Sequence, residues 1–199
     1  LKGSHAGKGV FFADAYIFCG AGHLGLEYDR LLRLGFGGIR EKIKKAMAEL
    51  DPSNPEDLQK RTFLKAEEIV NDASIRHVMR YSRLAYEMAE AESDEKRAAE
   101  LRKMSEDLAY VSENPARTFW QALQLVNLST SMVYMECNGH SICYGRFDQY
   151  MYPYYKHDIE TGEATREFMQ ELIENFYIKI WDLNKLRSHI LIKTFGNGG

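Results

Sequence analysis

The stretch CNGHSICYGRFDQYMYPYYKHD, Cys137 to Asp158, holds two cysteines, two histidines, two glycines, an Arg-Phe-Asp and five tyrosines. It is too polar for a plain core element and too aromatic for a solvated loop. Three readings compete: a metal site, a nucleophile site, or one wall of a pocket built for other chemistry.

Cys137, His140 and Cys143 have nearly the spacing of metal ligands. A structural zinc site needs a fourth ligand, and no second paired cluster follows. The other histidines are scattered at 5, 23, 77, 157 and 189. Cys143 has His140 three residues before it and Arg146 three after it, the nearby base and electropositive setting that a cysteine nucleophile needs. A small, inert, packed cysteine explains the same residue more simply. Ser141 lacks the Gly-x-Ser-x-Gly elbow of a serine nucleophile. Its hydroxyl both donates and accepts, which suits a substrate hydroxyl or carboxylate. Arg146 and Asp148 flank Phe147, and a buried arginine–carboxylate contact fixing the segment is the expected use of that pair.

Working outward, the chain turns helical. Tyr28, Leu31, Leu32, Phe36, Ile39, Ile43, Met47 and Leu50 recur at three- and four-residue steps. Gly35, Gly37 and Gly38 fall inside this run and imply a close backbone approach by a neighbour, or a break. In DPSNPED (51–57) one helix stops and another starts, with Asn54 as cap and Pro55 at the first helical position. A long helix follows to Met88. EAESDEKR (90–97) is a solvated break, and Leu101, Met104, Leu108 and Val111 mark an amphipathic helix. ENPA (113–116) repeats the Asn-Pro start signal before a helix over Phe119–Met135, apolar on more than one face and therefore buried. ETGEA (160–164) is a turn, and Phe168 to Leu186 carry another strong stripe.

Residues 1–26 are glycine-rich, with GVFFADAYIF as a short extended segment. GSHAGKG (3–9) fails as a phosphate loop in both spacing and its final residue. His23 follows this approach and precedes a helix start. A neutral, hydrogen-bonding imidazole near a ligand and a mere helix cap are equally consistent with its position.

The chain has 199 residues, 45% of them hydrophobic, and a formal net charge of −3. That balance gives no electrostatic case for nucleic acid or an anionic membrane. No run of about 18 apolar residues predicts a membrane span. Three cysteines, at 19, 137 and 143, do not make a disulfide framework and fit a reducing cytoplasm. The absence of an initiator methionine, and the turn-rich Gly196-Asn197-Gly198-Gly199, predict an internal segment cut at both ends.

NGHSICYGRFDQYMYPYYKHDI (138–159) and GHLGLEYDRLLRLGFGGI (22–39) closely resemble signatures of the glycyl radical enzyme superfamily, the pyruvate formate-lyase-like enzymes. NPARTFWQALQL (114–125) and FMQELIENFYIKIWDLNKLR (168–187) fit the same helices in the same order. The first match is highly specific, and the dehydratase and lyase branch, the glycerol dehydratase relatives, fits best.

The resemblance implies a mostly α-helical segment with a few short strands, the N-terminal-half part of a ten-stranded α/β barrel. It implies that His23 and Ser141 bind substrate and that Cys137–Asp158 helps form the pocket. It assigns no catalytic residue to this chain, because the radical glycine and the cysteine it oxidises lie on residues elsewhere. The expected cofactor is thus a glycyl radical outside this chain, with no bound metal. The expected partners are a small-molecule substrate, a radical S-adenosylmethionine activating enzyme and a second copy in a homodimer, in the cytoplasm or a bacterial microcompartment.

The reaction implied is thiyl-radical hydrogen abstraction followed by dehydration or C–X cleavage. Formate C-acetyltransferase activity and a non-catalytic helical binding module are the alternatives. The segment alone is expected to be inactive. Two departures stand out: Cys143 replaces a frequent serine, and Glu27 replaces a frequent aspartate. The first bears on substrate preference.

Overall fold

The stripe that starts at Tyr28 forms α1, Tyr28–Ala48, in a computed structural model that describes residues 24–137 and 142–183. After it come α2 (Pro55–Ala91), α3 (Glu95–Val111), α4 (Phe119–Cys137), α5 (Phe147–Thr161) and α6 (Arg166–Asp182). The mostly helical expectation therefore holds over these residues. Of the expected short strands, the described residues contain one isolated parallel bridge, Gly25 to Cys143.

Asn54 caps α2 as its sequence predicts, accepting from the Glu56 amide at 3.0 Å, with Pro55 at the first position. Asp94 and Thr165 do the same for α3 and α6. The solvated break at 90–97 is shorter than expected, since α2 runs to Ala91 and α3 resumes at Glu95. α2 has 37 residues, a length of about 55 Å. It lies along α1 and folds back on α3 through Ile75, Val78, Ser82, Ala85 and Ala89, one buried face at helical spacing. Ser82 donates to the Ser105 carbonyl across that seam at 2.8 Å.

ENPA corrects one expectation. Asn114 does not start α4; its Nδ2 reaches back to the Tyr110 carbonyl at 2.9 Å and closes α3. Thr118 is the cap, its Oγ1 accepting from the Gln121 amide at 3.2 Å. The loop between α3 and α4 instead serves α1. Gly35 has φ 63° and ψ 171°, which breaks the helix. Neighbours take over the backbone groups this leaves: Leu32 C=O accepts the Ala116 amide at 3.1 Å, and the Gly37 N–H donates to Glu113 C=O at 2.7 Å. Both readings of the glycine run are therefore true at once, a break and a close approach. Arg40 fastens the joint to Asp72 and Glu113 at 3.1 and 2.9 Å.

α4 is the hub, touching α1, α2, α3, α5 and α6. Its Ala122, Leu125, Val126 and Thr130 are fully buried, as the apolar run predicts. Gln121 reaches buried Asp107 of α3 at 2.8 Å. Buried Asp158 of α5 accepts the first α4 amide, Phe119, at 2.8 Å. Among the described residues no helix is long and apolar enough to cross a membrane.

Candidate functional site

The two signature segments meet. The Cys143 amide donates to the Leu24 carbonyl at 2.8 Å, and Gly25 and Cys143 form the parallel bridge. The joined residues are 118 positions apart in sequence (143 − 25 = 118). They lie one or two positions from His23 and from Ser141. Those two residues themselves, with Cys137's side chain and His140, lie outside the described residues. α1 begins at Tyr28 with Glu27 at the capping position, four residues beyond His23.

Below the bridge lies an aromatic floor. Tyr28, at the start of α1, is 2% exposed, and its ring stacks with Tyr144 and with Tyr150, centroids 5.9 and 5.5 Å away. Phe176 of α6 meets Tyr144 edge-on at 5.4 Å and stacks on Phe147 at 5.3 Å. The Tyr150 hydroxyl donates to the Tyr144 carbonyl at 2.9 Å. The tyrosines of the opening stretch are thus partly the floor of the joint and partly, from Phe147 onward, the helix α5. That helix carries Pro153 inside it and ends at Gly162 in the left-handed conformation, φ 74°. Between bridge and helix, Gly145 turns the chain with φ 63° while its amide donates to Cys143 Sγ at 3.3 Å.

Burial pushes the Tyr28 phenol up to about 12 and raises Tyr144 and Tyr150 as well. The neutral phenols are therefore favoured by folding. Their contribution to stability is complete below the unfolded phenol value near pH 10, and is lost as pH rises through the raised folded values, about 12 for Tyr28. Absorbance at 295 nm should show a late-titrating tyrosine class whose ionisation coincides with loss of helical circular dichroism. Random-coil titration of every tyrosine at pH 10 with the helices intact would contradict this.

Arg146 and Asp148 do pair, at 3.2 Å, but both side chains are 70% exposed, so the expected buried contact is instead a solvated one of little energetic weight. Cys143 is exposed, and among the described residues no group of three His, Cys, Asp or Glu side chains is placed to hold a metal. A groove of about 790 Å³ runs between α1 and α2 from Leu26 and Glu27 to Phe63, but Leu24, Gly25, Ile142 and Cys143 are not in its lining. Sequence reading placed Tyr28 in a core stripe and missed its partner Thr130; no local signal links a threonine in an apolar helix to a tyrosine 102 residues away.

The family described as pyruvate formate lyase-like matches residues 3–198. A (2S)-3-sulfopropanediol dehydratase from Klebsiella oxytoca is 39% identical over 94% of this chain and 22% of its own length. An isethionate sulfite-lyase from Oleidesulfovibrio alaskensis is 41% identical over 76% of this chain and 19% of its own. The glycerol-bound B12-independent glycerol dehydratase from Clostridium butyricum superposes with a TM-score of 0.83 at 39% identity, over 90% of this chain and 22% of that one. The chain thus spans about a fifth of the length of these relatives.

Proposed function

We propose a function from one premise: the chain belongs to the pyruvate formate lyase-like family, the glycyl radical enzymes. On our reading it is an N-terminal-half segment of a dehydratase or C–X lyase that acts on a small hydroxylated or otherwise polar molecule. The full protein forms a ten-stranded barrel, works as a homodimer, and is loaded by a radical S-adenosylmethionine activating enzyme. His23 and Ser141 are the substrate contacts this segment contributes.

The observation that carries this reading is the Leu24–Cys143 hydrogen bond with its bridge. It fastens together the two segments that bear the proposed contacts. An imidazole and a hydroxyl brought to the same place can hold one small polar molecule between them. Hydrogen bonds to a departing hydroxyl or sulfonate strengthen as negative charge develops on it, so they lower the barrier as well as bind.

Hydrogen-atom abstraction is supplied by a glycyl radical and a cysteine on residues outside this chain.

The test uses full-length enzyme activated without oxygen. His23→Ala and Ser141→Ala should each lower kcat/KM by about 10²-fold, the low end for a positioned proton-handling group. The glycyl radical signal in electron paramagnetic resonance should keep its intensity. Wild-type turnover by both variants would refute the assignment.

A further inference from the structure

We infer that Tyr28 and Thr130 are a positioning pair that sets the spacing of the two substrate contacts; this rests on the reading of His23 and Ser141 given above. Thr130 Oγ1 donates to the Val126 carbonyl at 2.7 Å, one turn back along α4. A hydroxyl has one hydrogen, so that bond uses it. The 2.7 Å contact between the Tyr28 hydroxyl and Thr130 Oγ1 is therefore donated by the tyrosine.

The direction matters. Thr130 is fully buried in the helix that touches every other helix. Its oxygen is a fixed acceptor at the far end of the Tyr28 ring. Stacking against Tyr144 and Tyr150 sets the tilt of that ring. The hydroxyl bond sets where its far end sits against α4. Tyr28 is five residues from His23, and Tyr144 three from Ser141. A shift of the ring relative to Tyr144 displaces the start of α1 against the segment that follows Cys143, the described parts of the two signature segments. Misplacement of reacting groups by about 1 Å can cost about 10²-fold in rate.

Tyr28→Phe keeps the stack and removes only the bond. Thr130→Val removes the acceptor with little change in shape, and Thr130→Ser keeps it. In the activated full-length enzyme, Tyr28→Phe and Thr130→Val should each lower kcat/KM about tenfold, mostly in kcat, and the double variant should be no worse than either single one. Thr130→Ser should restore the rate. In the Ser141→Ala background, Tyr28→Phe should add little, because it acts through that contact.

A second readout does not depend on catalysis: the Cys143 amide, bonded to Leu24, should exchange with deuterium faster in both Tyr28→Phe and Thr130→Val. Unaltered exchange in both variants overturns the pair. So does an undiminished tenfold loss in the Ser141→Ala background, which would mark a general structural effect. Wild-type rates for His23→Ala and Ser141→Ala would instead sink the substrate reading on its own.

Discussion

Gly35→Ala is expected to lower folding stability by about 4 kcal/mol, the sum of a forbidden backbone and an occupied space. With φ 63° and ψ 171°, Gly35 sits in a region open essentially to glycine alone. A Cβ there would lie 2.5 Å from the Asn114 carbonyl carbon and 2.5 Å from the Glu113 oxygen. Both neighbours are backbone. They cannot swing aside without giving up the Ala116–Leu32 and Gly37–Glu113 hydrogen bonds that repair the break in α1. A loss of this size is a large part of the roughly 5–15 kcal/mol that holds a domain folded.

Gly38→Ala is the control. Its Cβ would meet only the Leu34 side chain, at 3.2 Å, within ordinary helix. The gain in helix propensity, up to about 1 kcal/mol, offsets that contact, so stability should stay within about 1 kcal/mol of the parent. Urea denaturation followed by circular dichroism separates the two. Equal midpoints would mean that α1 can straighten past the loop and that the kink is no constraint.

What the sequence reveals depends on how far apart the cooperating residues are. Asn54 and Pro55 could be read because a cap and the helix it starts are neighbours. The glycines of α1 announced that something unusual happens there, yet nothing local says that residues 113–116 are what approaches. Asn114 misled because Asn-Pro opens a helix in one context and closes one in another; the deciding contact, with Tyr110, appears only once α3 exists.

The same limit applies to the site. Residue chemistry alone left Cys143 and His23 with rival explanations, and resemblance to a family singled out His23 and Ser141. The Gly25–Cys143 bridge is a tertiary fact, and no periodicity in either segment encodes it. The aromatic content of 144–155 was visible, but its division between a floor under Tyr28 and the exposed face of α5, where Tyr152 lies, was not, because a tyrosine's two ends suit both.

Asp158→Ala is the second large effect, expected at about 3 kcal/mol, because it leaves a buried N–H without a partner at a helix start. Asp158 is 2% exposed, and its Oδ2 takes the Phe119 amide at 2.8 Å. Thr118 already serves the Gln121 amide, and Gln121 Oε1 serves Arg117, so neither can replace the lost acceptor. The carboxylate also sits at the positive end of α4, where negative charge is favoured.

Asp158→Asn keeps an oxygen and should recover most of the loss, falling about 1 kcal/mol short for want of the charge. Asp148→Ala, which removes a carboxylate from the same helix but from an exposed pair, should change stability by less than about 0.5 kcal/mol. The ordering of the three variants is the test. If Asp158→Ala and Asp148→Ala unfold at the same urea concentration, α4 is not held at its first residue by α5. If Asp158→Ala alone is destabilised, the α5 carboxylate holds the hub helix at its first residue.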